Sequence, residues 1–141
     1  MKKRAFLSIL ISLLMIISVF ATSCNSAPKT IEEYVQKNSE SMEEVQKAAD
    51  TAGLTVSFSG NDVIYTYDMS QIDGVTEDVI KSDIMIEQLS SALDSNADTF
   101  VSLCKQLEEE SKIEGVQIVI NYTFGEEEII KKTDNSSGEV K

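Results

Sequence analysis

Apolar and polar residues along the chain follow two periods in turn. In "TIEEYVQKNSESMEEVQKAADTAG", Ile31, Tyr34, Val35, Met42, Val45, Ala49 and Ala52 recur three and four residues apart, with one gap at Asn38. That stripe is one face of a helix. Thr30 with Glu33 forms a capping-box signature at its start, and Gly53 suits its end. "LTVSFSGNDVIYTYDM" shifts to a period of two. Leu54, Val56 and Phe58 alternate with Thr55, Ser57 and Ser59, and Val63, Tyr65, Tyr67 and Met69 alternate with Ile64, Thr66 and Asp68. Gly60-Asn61 between the two runs predicts a β-hairpin.

The helical period then returns. Ile86, Leu89, Leu93, Ala97, Phe100, Cys104 and Leu107 share one face, with Val79 a heptad earlier and Gly115 past the end. Thr76 and Ser82 are the candidate start caps. A helix over all of 77–112 would be about 54 Å long, against about 35 Å for a compact domain of this mass. The helix is therefore expected to start near Ser82. The other way to fit the length is a bend near Asp94-Ser95-Asn96, three weak helix formers; the late start is preferred, because the stripe passes Asn96 in phase. "GVQIVINYTFGEEEIIKKTDN" predicts a second hairpin: Val116, Ile118, Ile120, Tyr122 and Phe124 alternate with polar positions, Gly125 marks the turn, and Ile129-Ile130 anchors a short last strand. Residues 133–141 hold no apolar pattern and are expected to form a disordered tail.

The order α-β-β-α-β-β predicts an α+β fold: a two-layer sandwich with a four-stranded antiparallel sheet and two helices on one face, over residues 30–132. Two helices, each about 10 Å wide, cover a sheet about 19 Å wide.

The N-terminus has a different character. Lys2, Lys3 and Arg4 precede an uncharged, strongly apolar run from Ala5 to Ala21. A basic start, an apolar run and small residues at its end make a secretory signal over 1–23. The run is about 25 Å long as helix, short of a bilayer core of about 30 Å, so it makes a marginal uncleaved anchor. Ala21-Thr22-Ser23 also suits ordinary signal cleavage. Phe20-Ala21-Thr22-Ser23-Cys24, however, resembles the bacterial lipobox, with Ala21 standing where Leu is usual. There the thiol of Cys24 takes a diacylglycerol group and becomes the mature N-terminus. Thioether formation calls for a thiolate. Residues 24–29 then form the lipidated Cys and a short tether. Two or more acyl chains give stable anchoring, and the expected location is the outer face of the bacterial cell membrane or an outer membrane.

That lipobox, "TIEEYVQ", the hairpin "VSFSGNDVIYTYDM", the helix "LSSALDSNADTFVSLCKQLEEES" and "GVQIVINYTF" together resemble a family of small bacterial lipoproteins catalogued only as a domain of unknown function. The resemblance covers Thr30 to Lys132 and implies no activity and no site.

Charge narrows the range of partners. Lys2, Lys3 and Arg4 are three of the 12 cations, which leaves nine against 24 anions beyond residue 23, a net of −15. Such a surface repels nucleic acid. Any partner selected by charge would be basic, although acidity also simply keeps a surface protein soluble.

Candidate chemistry is thin. The chain has no His, which excludes triads of the Ser-His and Cys-His type within it. Asp94, Asn96 and Asp98 imitate the start of an EF-hand, but Thr99 stands where Gly is needed and Lys105 where Glu is needed. The runs Glu108–Glu110 and Glu126–Glu128 splay their carboxylates, as consecutive residues must. Cys104 lies on the apolar stripe as a small hydrophobe. Tyr65, Tyr67 and Tyr122 fall on the core side of their strands. No cofactor, metal or catalytic residue is expected.

The sheet face turned away from the helices is the sharper feature. It would show Thr55, Ser57, Ile64, Thr66, Gln117, Val119, Asn121 and Thr123, none of them charged. The expected role is a non-catalytic domain, held at the membrane by its lipid, that binds an unknown protein or small ligand or self-associates through that face. The alternative is an inhibitor or immunity-type lipoprotein that neutralises a basic enzyme or peptide.

Overall fold

A computed structural model describes residues 28–37, 43, 46–47, 49–50 and 54–138. The expected signal at 1–23, Cys24 with the first residues of its tether, and Asn38, Met42, Val45, Ala52 and Gly53 of the first helix lie outside the described residues.

The first helix, α1 (Ile31–Gln36), begins as the capping signature requires: Thr30 Oγ1 accepts from Glu33 N at 3.2 Å. The Glu33 carboxylate reaches back to Lys29 N at 2.8 Å. Ile31 and Val35 bury its inner face, and Glu43, Gln46, Lys47, Ala49 and Asp50 are also helical. The strands β1 (Leu54–Ser59) and β2 (Asp62–Asp68) pair antiparallel through Gly60-Asn61. Gly60 has φ +59°, where a side chain would be strained.

A 3-10 turn, Met69–Gln71, and a short helix α2 (Glu77–Ile80) lead to α3 (Asp83–Ser95). Ser82 caps α3, its Oγ accepting from Met85 N and donating to Val79 O at 2.7 Å. The late start is thus present, but the helix is not continuous. It stops at Asn96 (φ −108°, ψ 6°), and α4 (Ala97–Ser111) follows at once. Asn96 is a weak helix former with a side chain that competes for the backbone, and its Nδ2 donates to Ala92 O at 2.7 Å. The stripe keeps phase because Asn96 O still accepts from Phe100 N. Leu93, Phe100, Cys104 and Leu107 are all buried. Lys112 ends α4 in the left-handed region, φ +61°.

Strands β3 (Gln117–Phe124) and β4 (Glu127–Asn135) complete a four-stranded sheet in the order β1-β2-β3-β4. The outer pairs are antiparallel, but β2 and β3 are parallel. This corrects the expected antiparallel sheet. The cause is mechanical. The helices between β2 and β3 carry the chain back along the sheet once, so β3 starts at the same end as β2 and runs beside it in the same direction. The last strand also reaches three residues beyond the expected boundary at Lys132. Thr133, Asp134 and Asn135 pair with Val119, Ile118 and Gln117, so the expected tail begins as sheet.

The core lies on one side of that sheet. Leu54, Val56, Val63, Tyr65, Tyr67, Ile118, Ile120 and Tyr122 meet Ile31, Val35, Ala49, Ile80, Leu93, Phe100, Cys104 and Leu107 from the helical segments. Helix α1 packs over β1 and β2, while α3 and α4 pack over β4.

Candidate functional site: the open face of the sheet and a buried polar cluster

The strand period sends alternate residues to opposite faces, and the register aligns them in rows. Thr55 faces Thr66, which faces Asn121. Ser57, Ile64 and Val119 form the next row, and Gln117 and Thr123 continue β3 on either side. All eight residues expected on the face away from the helices therefore share it. Their exposure is unequal. Thr55 and Ser57 are exposed, Ile64, Thr66, Gln117 and Asn121 are half-buried, and Val119 and Thr123 are buried. Asn121 Oδ1 is shielded and accepts no hydrogen bond.

Charge enters this face only at its margins. Lys131 and Glu128 on β4 lie beside Asn121 and Thr123, Asp62 begins β2, and Asp68 ends it. Lys131 completes the Thr55 row; it lies inside the expected boundary at Lys132, but the expected face took in no residue of the last strand. Asp68 is engaged at its own turn: its Oδ1 accepts from Ser70 Oγ at 2.6 Å and Gly125 N at 2.9 Å. The Ser70 and Gly125 bonds hold its carboxyl below the usual range.

The opposite side of β4 carries a cluster that sequence reading missed. Lys132 and Asp134 point toward α3 and α4 in the positions that Ile120 and Ile118 fill on β3. Both are buried. Lys132 Nζ contacts Asp94 Oδ1 at 2.6 Å. The stem of Lys132 is covered while the Asp94 side chain is three-quarters exposed (75%), so the lysine runs out from the core to a partner in solvent. Asp94, the start of the imitation EF-hand, is thus committed to an ion pair. Asp134 is 1% exposed, and neither of its carboxylate oxygens has a hydrogen-bond partner. Burial raises its pKa, the Lys132 ammonium works against that, and the Asp94 charge adds to it.

Cys104 Sγ donates to the main-chain oxygen of Asp134 at 3.4 Å. Burial pushes the thiol up to about 12, and the charges of Glu108 and Asp134 add to the effect. Tyr65 OH is buried without a partner, and burial raises it well above its ordinary value. At neutral pH this thiol and this phenol hold their protons, which makes them poor nucleophiles and bases. The remaining tyrosines pack: the rings of Tyr67 and Tyr122 lie 5.9 Å apart, tilted by 36°.

The two acidic runs part ways. In the first, Glu108 Oε1 accepts from Gly115 N, Val116 N and Ser136 Oγ at 3.0–3.1 Å, tying α4 to the start of β3 and the end of β4. In the second, Glu126, Glu127 and Glu128 are exposed at the β3–β4 turn, where Glu127 meets Lys81 at 2.6 Å. The same lysine holds Glu77 at 2.6 Å.

A model of the family described as a domain of unknown function (DUF4854) matches residues 31–134. The chain belongs to this family. No curated protein and no solved structure matches the chain. The extent of the DUF4854 match agrees with the fold: it opens at the first residue of α1 and takes in β4 as far as Asp134. The buried Lys132–Asp134 segment is therefore part of the DUF4854 domain rather than of a tail. No helix among the described residues is long and apolar enough to cross a membrane.

Proposed function

We propose that the chain is a bacterial lipoprotein, anchored through Cys24 on the outer side of a membrane, and that its α+β domain is a non-catalytic binding module. The supporting observation is the open sheet face. Its eight aligned side chains carry no charge in a protein of net charge −12. The accessible part of that face, Thr55, Ser57, Ile64, Thr66, Gln117 and Asn121, offers hydrogen bonds and some apolar contact without the cost of stripping water from ions. A protein or a small neutral ligand fits those terms.

The test is charge placed on that face. Thr66→Glu and Asn121→Lys are introduced into the full chain, which is then recovered from its own membranes with whatever accompanies it. Partners seen with the unsubstituted chain should disappear. If every partner persists, the face is not the contact. Cys24→Ser tests the anchor separately, since the mature mass and the membrane fractionation should both change.

One observation favours the inhibitor or immunity-type reading. Glu77 and the Glu126–Glu128 run meet at the end of the sheet where β2 finishes, with Lys81 between Glu77 and Glu127. The chain enters at the other end, where Ile31 N donates to Asn61 Oδ1 at 3.2 Å and Glu32 N to Gly60 O at 2.9 Å. An anchor before Pro28 would turn this acidic end away from the membrane, toward a basic partner. Salt separates the two readings. Binding through the acidic end should weaken steeply as ionic strength rises, and binding through the uncharged face should not.

A further inference from the structure

The two edges of the sheet are built differently. At β4, Lys132 and Asp134 point inward, Glu127, Glu128 and Lys131 add outward charge, and a register shift after Tyr122 makes a bulge at Ile129. Inward charges and bulges are the devices that stop a strand edge from pairing with another chain. Strand β1, at the other edge, has none of them. Leu54–Ser59 holds no charge, no proline and no bulge, and pairs residue for residue with β2 along its whole length. Among the described strands only β2 pairs with β1. Among the described residues no main-chain hydrogen bond is made to its outer side.

We propose that β1 is a dimerisation edge: two copies of this chain pair β1 against β1, antiparallel about a two-fold axis, and join their sheets into one of eight strands. The choice of a second copy follows from charge. A chain of net −12 approaches itself most readily where its own charge is sparse, and β1, with a charged neighbour on β2 only in Asp62 opposite Ser59, is such a place. A two-fold contact sets the same patch against itself, so an uncharged strand meets an uncharged strand with main-chain donors and acceptors in register. The pairing aligns the Thr55-Ser57-Ser59 rows of both copies on the open face and brings the half-buried Phe58 of each toward the other. The edge borders the proposed binding face at Thr55 and Ser57, so that reading is tested apart from this one by Asn121→Lys alone, on β3 with β2 between it and the edge.

The experiment uses the full chain purified from membranes in detergent. Ser57→Cys is oxidised with copper phenanthroline, beside Lys131→Cys on β4 and the unsubstituted chain. The expected result is a covalent species of twice the chain mass for Ser57→Cys alone. A second variant, Thr55→Lys with Ser57→Lys, sets like charges opposite each other at the centre of the pairing. It should weaken the dimer in sedimentation by about tenfold or more while the circular dichroism melt stays near that of the unsubstituted chain. The proposal is overturned if Ser57→Cys stays monomeric, if it cross-links to a protein of another mass, or if the double lysine variant melts normally and remains equally dimeric.

Discussion

Asp134 holds a carboxyl group in a place built for an apolar side chain, and replacing it should make the protein more stable. It sits 1% exposed on the core side of β4, opposite Ile118, with no hydrogen bond to either oxygen. A buried polar group without a partner costs about 1–3 kcal/mol, and more when charged. Valine suits a strand and a half-covered pleat. Asp134→Val leaves untouched the main-chain oxygen that accepts the Cys104 thiol. The loss on the other side is small, because Lys132 keeps Asp94 at 2.6 Å. A net gain of about 1–2 kcal/mol at pH 7 follows. Its pH dependence is set by the direction of the shift. The folded pKa lies above the ordinary 3.8, so the folded state keeps its proton to higher pH than the unfolded chain. The cost of the charge is absent below the unfolded value, grows as pH rises through the folded value, and is complete above it. The advantage of the variant should therefore shrink toward pH 3, where only a neutral carboxyl is buried. The groups that bear on this site are Lys132 on β4, Asp94 on α3, and Cys104 and Glu108 on α4. Urea unfolding at pH 7 and pH 3, followed by circular dichroism, reads the difference. A loss of stability at pH 7 would refute the reasoning and mean that the carboxylate has a partner.

Glu108→Ala removes one acceptor that serves Gly115 N, Val116 N and Ser136 Oγ; it should cost about 1–3 kcal/mol in the same urea titration, with a smaller loss for Glu108→Gln, which retains an acceptor oxygen. Cys104, buried and pushed up to about 12, should resist iodoacetamide at pH 8 in the folded chain and react once urea unfolds it. Fast labelling of the folded chain at Cys104, located by peptide mass, would count against the packing described here. Lys112→Gly relieves a left-handed residue at φ +61°; a stability gain of about 0.5–1 kcal/mol is expected from the thermal midpoint.

The strands were legible in the sequence almost to the residue because a half-buried strand leaves no choice: each apolar position in Leu54–Phe58 and Val63–Tyr67 must alternate, and a slip of one would turn every side chain over. The same rule put the eight expected residues on one face of the sheet, though not which of them are open: Val119 and Thr123 are buried there. Helix caps were legible for a similar reason, since Thr30 and Ser82 satisfy local donors that need a partner. What escaped detection was set by neighbours distant in sequence. The break at Asn96 left the apolar phase intact, so the stripe could not register it, and only the weak helix formers Asp94-Ser95-Asn96 pointed to a bend there. Polar Thr133, Asp134 and Asn135 read as a tail, because Lys132 and Asp134 occupy core-side positions that only an edge strand beside Asp94 and Cys104 tolerates. The parallel centre of the sheet was within reach. One helical return between β2 and β3 reverses the chain once, and two strands joined that way can lie side by side only in the same direction. The alternation shows which face a residue joins, but the pairing of strands depends on how many times the chain turns back. Only the second determines that β1 and β4 are the edges, and therefore that one edge is defended by charge while the other is left open.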